Sequence, residues 1–536
     1  MRKVILMGIP SYFSHIVKNH DKIIKKICQL NKNIDNFYLD SNSIIYDSLR
    51  LLEKEYNGND ELFEKKLLEH VCGKIDEYIY IIKPSKRVFI AFDGVAPVAK
   101  LEQQRTRRYK SYLLNMFKNT FEEQPDKWDK TAITPGTEFM EKLGNFIKNY
   151  YKNKEKQYNI QKFIVSTSDE CGEGEHKLFE YIRKNAISHH KEVSMVYGLD
   201  ADLIMLALNH LPVSKQIYLY RETPEFIKSL NQDLEPNEPY FLDIPQLAQV
   251  IRRDMNSNYT ISKKQESNRL YDYIFLCFFL GNDFMPHFPS VNIRTGGIYT
   301  MLSAYKNLFG KTSKNLTDGK NIYWANVKKI VEYIAQSEEN HLLKEYQIRN
   351  KWEKRYYPSE TIDEKMKKMD NIPTKERGLE KYIDTSNKGW EKRYYKALFN
   401  IDINDYWREK ICTNYLEGLE WTMKYYTTGC VDWGWCYNYH YPPLWGDLLK
   451  YIPSWDTNMI SDNNNQPVQP LIQLAYVIPR PSLKLLPTQF RDDILEQMGE
   501  KYPLNCKINW AFCKYFWESH PELPFIDINN LKLMNN

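Results

Sequence analysis

The chain lacks paired cysteines. Its nine, Cys28, Cys72, Cys171, Cys277, Cys412, Cys430, Cys436, Cys506 and Cys513, are odd in number and contain no CxxC spacing. That excludes a disulfide framework and points to free, mostly buried thiols in a reducing compartment. A large net charge is also missing. Lys and Arg number 74 against 69 Asp and Glu, a formal +5, too little for overall charge to announce a nucleic-acid partner; local distribution has to carry that argument. There is no apolar run long enough to cross a bilayer and no secretory leader at the start, so an intracellular protein off the membrane, cytoplasmic or nuclear, is expected. At 536 residues the chain calls for two or three packed units. Its wealth of Asn, Lys, Ile and Tyr fits an A+T-rich genome, whether of a parasite, a protist or a large virus.

What the chain does have is a recurrence. Five short apolar runs end in acid: NFYLD at Asp40, VFIAFD at Asp93, FIVSTSDECGEGE at Glu173 and Glu175, SMVYGLDAD at Asp200 and Asp202, and FLCFFLGND at Asp283. Up to about residue 305 such runs alternate with helical patterns, the signature of βαβ units and a mainly parallel α/β sheet. Strands are expected near 36–40, 87–92, 161–167, 193–199 and 216–221; YDYIFLCFFLG reads equally as strand or buried helix. Ligands bind at the carboxyl edge of such a sheet, where seven carboxylates would meet. A cluster of that charge needs cations, and all-oxygen ligands suit Mg²⁺ or Mn²⁺. Two ions would supply metal-assisted phosphodiester cleavage with no histidine or lysine base. A lone acid after a strand is more often a cap or turn residue; five in one chain, with the close pairs Glu173/Glu175 and Asp200/Asp202, outweigh that reading. Gly174 would let the backbone turn sharply between the two glutamates, and an extended chain would point Asp200 and Asp202 the same way.

A second element comes after Asp93. In AKLEQQRTRRYKS, Lys100, Gln104, Arg107 and Arg108 fall at i, i+4, i+7 and i+8 on one helical face, which is either a solvated basic face or a grip for a terminal phosphate. ITPGTEFMEKL, from Ile133, reads as a turn and helix shaping the cleft wall. Residues 306–374 are rich in Lys, Glu and Asn and read as a charged linker, mobile or helical. WEKRYY occurs at Trp352 and again at Trp390, by chance or by local duplication. From 375 to 536 the composition turns aromatic, above all in WTMKYYTTGCVDWGWCYNYHYPPLW. Rings can hold single strands by stacking, although most are expected to form a core that docks this segment on the sheet. Cys430, Cys436 and His440 have poor zinc spacing and no fourth ligand.

MGIPSYF, NFYLDSNSIIYDSL, FIAFDGVAPVAKLEQQRTRRYKS, ITPGTEFM, GEGEHKLFEYIR, YGLDADLIMLAL and CFFLGNDFMPHFP, in this order, resemble the first conserved region of the XRN family of 5′→3′ exoribonucleases. YLEGLEWTMKYYTTGCVDWGWCYNYHYPPLWGDL resembles the second conserved region, and PLIQLAYVIPRPSLKLLP and LPFIDINNL resemble the family's sequence beyond it. The resemblance implies a PIN-like, flap-endonuclease-like nuclease domain over 1–305 and a mostly helical aromatic region over 375–536 that completes the cleft. It implies Mg²⁺-dependent, processive removal of 5′-mononucleotides from single-stranded RNA bearing a 5′-monophosphate, in RNA decay or processing. It places metal-site acids at Asp40, Asp93, Glu173, Glu175, Asp200, Asp202 and Asp283, the 5′-phosphate pocket at Lys100, Gln104, Arg107 and Arg108, and a duplex-excluding residue at Pro97.

Three departures stand out. A base-stacking histidine of the family is replaced by Tyr46, partnered by Trp433 or Trp435. Six residues, MRKVIL, precede the family's usual start at Met7, so that translation begins at Met7 or the prefix adds a strand near the cleft. The chain also ends soon after the second region, so contacts made through long C-terminal domains are expected to be absent, and a monomer is expected. A flap-endonuclease-like DNA enzyme would share the acidic site but carries a Gly-Ile-Gly hairpin that SVNIRTGGIYTML lacks. A non-catalytic RNA-binding scaffold would have lost metal ligands, and none is lost.

Overall fold

The structure is a computed structural model. It describes residues 11–535 apart from 122–126, 223–226, 229–230, 236–237, 258 and 462–464; the MRKVIL prefix and the strand expected of it lie outside the described residues. Seven strands form one sheet: β1 (Ile24–Lys26), β2 (Asn36–Asp40), β3 (Arg87–Ala91), β4 (Lys162–Ser166), β5 (Val193–Tyr197), β6 (Gln216–Glu222) and β7 (Pro239–Asp243). Their order is β1-β7-β6-β5-β2-β3-β4. The run β6-β5-β2-β3-β4 is parallel, and β7 is antiparallel to both β6 and β1. The chain builds outward from β2 through β3 to β4, then returns to lay β5 on the other side of β2. That reversal is a topological switch point, where the connecting loops part and leave a crevice.

The strands alternate as a sheet covered on both faces requires. Phe37, Leu39, Val88, Ile90, Met195 and Tyr197 join the core beneath the helices Asn42–Leu52, Asp60–Ile82 and Glu138–Tyr151. Tyr38, Phe89, Ala91 and Val196 join the opposite core. That second core does not stop at the sheet domain. It runs through Trp324 and Ile334 to Trp421, Tyr425, Trp435 and Trp445, so the aromatic region and the sheet share one interior. Most rings of the 421–445 run are structural, with Trp421 and Trp445 fully buried.

Helices settle two readings that the sequence leaves open. YDYIFLCFFLG belongs to the helix Lys263–Phe278, opened by a Ser262/Gln265 capping box, so the fifth acid, Asp283, comes after a helix and a turn at Gly281 (φ +88) and not a strand. Residues 306–374 are helical over Trp324–Ala335, Glu338–Glu353 and Ile362–Asp370, with Trp324, Val327, Ile330, Val331 and Ile334 as the buried stripe of the first. The two WEKRYY copies have different settings: Trp352 lies at the end of one helix, Trp390 at the start of another. Of the nine free thiols only Cys72, Cys277, Cys412 and Cys513 are buried, fewer than expected. No described helix is long and apolar enough to cross a membrane.

Candidate active site

The switch point gathers the acids. Asp40 ends β2 opposite Ala91 of β3, and Asp93 lies two residues beyond Ala91. Glu173 caps the helix Gly174–Lys184 that succeeds β4, with Glu175 in its first turn. Asp200 and Asp202 come after β5, and Asp202 opens the helix Asp202–His210. The chain is therefore not extended between Asp200 and Asp202: Ala201 is already helical (φ −71, ψ −24). Gly174 also works differently from the sharp turn expected. Its φ is not positive; the reason for glycine is space, since a Cβ there would stand 2.6 Å from Asp40 Oδ1.

Burial and mutual repulsion govern the electrostatics. Asp40 is held well above the usual carboxylate range, first by burial and then by Asp93, Asp200 and Glu173. Glu175 and Asp202 are likewise raised, Glu175 by burial and then by Asp202, Asp202 by burial and then by Asp283. Burial also raises Glu173, and it lifts Asp200 to about 6. Lys100 is the cation that meets this charge most directly among the described residues. Coming from the basic face expected to grip a phosphate, it sits between Glu173 Oε2 and Asp283 Oδ2 at 2.6 Å from each. Although burial opposes its charge, Asp283, Glu173 and Glu175 keep it protonated well beyond the ordinary lysine range.

The donor set suits a hard divalent cation, being all carboxylate, and Glu175 Oε2 is buried with no partner. Among the described residues no three His, Cys, Asp or Glu side chains converge as a coordinating group in this arrangement. The ammonium of Lys100 stands among them, and carboxylates without a cation repel one another.

Several residues that support the acids lie inside the quoted motifs, with no spacing that marks their role. Asn42 donates to Asp93 Oδ2 (2.6 Å) and accepts from the Asp93 N–H (3.1 Å); the Gly174 N–H donates to Asp93 Oδ1 (2.7 Å). Lys177 ties the ends of β3 and β4, donating to the carbonyls of Phe92 and Thr167 at 2.8 Å. Tyr425, from the aromatic half, donates to Glu173 Oε1 at 2.9 Å, and its neighbour Tyr426 hydrogen-bonds Asp202. His176 stacks on Tyr425, centroids 3.8 Å apart, and burial holds it neutral, well below its usual pKa.

The grip face belongs to the helix Val98–Asn119. Lys100 and Gln104 are buried, Arg107 and Arg108 half-buried. Burial lowers the Arg108 guanidinium to about 10, and Tyr46, Arg107 and Asp129 lie within its electrostatic reach. The helix starts at Pro97, itself buried. Its first N–H groups are satisfied from far away: Val98 N–H donates to the Trp433 carbonyl (2.9 Å) and Ala99 N–H to that of Trp435 (3.1 Å), filling the orphan donors of a helix start. Trp435 is buried in a stack with Trp421 (5.1 Å), whereas Trp433 remains half-exposed.

Comparison with known proteins agrees with this architecture. The family model described as the XRN 5′-3′ exonuclease N-terminus matches residues 7–223, and that of the Xrn1 helical domain matches 264–387 and 357–535. The 5′-3′ exoribonuclease 2 of Arabidopsis thaliana is 26% identical over 98% of this chain and 66% of its own length. The Gallus gallus 5′-3′ exoribonuclease 2 is 26% identical, with 98% and 69% covered, and the Schizosaccharomyces pombe 5′-3′ exoribonuclease 1 is 27% identical, with 98% and 48% covered. The chain thus spans about two thirds of the length of the first two relatives and about half of the third. With both family models matched in order and the sheet, acids and aromatic region in place, the chain belongs to the XRN family of 5′→3′ exoribonucleases.

Proposed function

We propose that this chain degrades single-stranded RNA from a 5′-monophosphate end, releasing 5′-mononucleotides processively, in RNA decay or processing. The observation that carries the reading is the joining of two elements through one helix: the acidic edge and the basic face Lys100–Arg108 are linked by Lys100, which touches Glu173 and Asp283. Asp40, Asp93, Glu173, Glu175, Asp200, Asp202 and Asp283 would hold Mg²⁺ or Mn²⁺, two ions in the fullest form, supplying charge neutralisation at the scissile phosphate and a more acidic attacking water.

The remaining roles fall to the chain's own groups. Gln104, Arg107 and Arg108 hold the terminal phosphate; an arginine fork suits a monophosphate's oxygens, and a capped or triphosphorylated end fits poorly. Lys100 joins them once its carboxylate partners have another counter-charge. Tyr46, within the electrostatic reach of Arg108, takes the first base on its ring face, and its stacking partner is Trp433, because Trp435 is already engaged with Trp421. Buried Pro97 fixes the helix start against the 433–435 backbone and is the residue that would exclude a duplex. The reading places the protein in cytoplasm or nucleus, as a monomer, with RNA as its macromolecular partner.

The test is degradation of end-labelled single-stranded RNA carrying a 5′-monophosphate, triphosphate or hydroxyl, alongside matching DNA, with Mg²⁺. Stepwise loss of the monophosphorylated RNA alone is expected. Equal loss of all three RNA ends would remove the phosphate pocket, and preferential loss of DNA would favour the flap-endonuclease-like alternative.

A further inference from the structure

On the flank of the helix Val98–Asn119, beside its grip face, a cavity of about 450 Å³ opens among the loop Leu280–Arg294, the run Cys436–Tyr441 and the C-terminal stretch Ala511–Phe525. Its volume lies within the roughly 300–1,000 Å³ of small-molecule sites. Two residues of its lining, Arg107 and Asp283, also belong to the candidate cleft, so the cavity continues from it.

The wall combines cations with rings. Lys110, three residues along the helix from Arg107, donates from Nζ to the Trp517 carbonyl. Arg294 lies 5.6 Å from the Trp517 ring centroid and 5.7 Å from that of Tyr515, and pairs with Glu518 at 2.6 Å. His440 and His520 stack 5.0 Å apart, and Phe525 presents an exposed ring. The carboxylates of the lining are all engaged: Glu518 by Arg294, Asp283 by Lys100, Glu102 by the Tyr476 hydroxyl. With Arg294 set against Glu518, the wall still offers Arg105, Arg107 and Lys110 beside the rings of Tyr437, Tyr439 and Trp517, with aliphatic side chains such as Met285 and Ile293 between them, a combination that suits a phosphate joined to a base.

An enzyme that removes one nucleotide at a time while holding the strand faces a traffic problem. The strand fills the entry, so the cut nucleotide, gripped at its phosphate by Arg107 and its neighbours, has to leave by another way or wait for the strand to withdraw. We infer that this cavity is the exit and transient binding site of the released nucleoside 5′-monophosphate, with Lys110 and Arg294 serving its phosphate and the Trp517 and histidine rings its base. The inference rests on the exoribonuclease reading above.

The test uses the full chain in two formats. Photolabelling with 8-azidoadenosine 5′-monophosphate, mapped by mass spectrometry, is expected to mark peptides containing 436–441 or 511–525, with excess 5′-AMP displacing the label. Label confined to other peptides overturns the inference. Leu523→Trp fills the cavity from the C-terminal stretch, outside the acids and the phosphate grip. It is expected to leave the first single-turnover cleavage within about twofold of the unmodified protein while slowing steady-state nucleotide release about fivefold or more, as an enzyme limited by product departure would. An unchanged steady state overturns the inference; so does an equal fall in both rates, which would make the cavity the strand's entrance. Should Leu523→Trp not fold, the labelling of the unmodified protein decides. Absence of any RNA cleavage by the unmodified protein overturns the exoribonuclease reading instead, and the labelling pattern still reports on nucleotide binding in the cavity.

Discussion

The acidic edge and the aromatic half are both buried, but burial acts on them with opposite sign. At the edge it concentrates like charges, so Asp40, Glu175 and Asp202 are raised well above their ordinary values and native packing there costs free energy. In the aromatic half it brings together rings that attract: Trp435 on Trp421, Trp421 on Tyr425, Tyr425 on His176. The stable region is therefore the one with less chemistry, and it lends rigidity to the region with more. Tyr425 is the point of transfer, stacked in the aromatic column and bonded to Glu173.

Substitutions that separate chemistry from stability sharpen this contrast. The largest effect is expected at Asp202. Asp202→Asn keeps the shape and removes one buried charge, so single-turnover RNA cleavage should fall by about 1,000-fold or more, several kcal/mol of transition-state stabilisation, while the melting temperature holds or rises. A lower melting temperature would break the claim that the acids oppose folding. Trp435→Ala should behave in reverse, losing about 3 to 5 kcal/mol of stability in denaturant titration. Its half-exposed neighbour gives the control: Trp433→Ala should leave stability nearly intact and weaken single-stranded RNA binding by about 1 to 3 kcal/mol.

Tyr425→Phe tests the transfer itself. Loss of the hydroxyl should lower kcat by about tenfold, as removal of a group that orients a ligand does, with far-UV circular dichroism unchanged; full activity would mean the two halves share only packing. The last effect lies away from the cleft. Glu338 accepts the N–H groups of Trp445 and Gly446, and burial raises it from near 4.5 to about 8. The folded chain then holds a proton that the unfolded chain loses above about 4.5, so stability falls as pH rises from there through 8. Glu338→Gln should flatten the decline in melting temperature between pH 5 and pH 8.5.

Much of the sheet was legible because its central strands are short, apolar and bounded: the expected 36–40, 87–92, 161–167, 193–199 and 216–221 overlie β2 to β6. The edge was less so. β1 is three residues, and β7 opens with Pro239, a residue suited to the start of a strand but a poor advertisement for one. Asp283 was legible as an acid after an apolar run but its element was not, since a fully buried helix end looks like a strand over eight residues. The periodicity of Lys100, Gln104, Arg107 and Arg108 gave a common face, yet no local pattern foretold that Lys100 would spend its charge on Glu173 and Asp283. Nor could Tyr425 be matched to Glu173, a partner 252 positions away, without knowing that the aromatic region and the sheet share one core.

The capping of the helix Val98–Asn119 by the carbonyls of Trp433 and Trp435 bears on how the protein comes into being. Chains are made from the amino end, and early segments begin to fold before later ones exist. A nascent chain of 400 residues already carries all seven acids and the whole basic face, but the first amides of the gripping helix still lack their acceptors and Glu173 lacks Tyr425. The contacts that hold this helix start and Glu173 are therefore completed only once the aromatic half has been made.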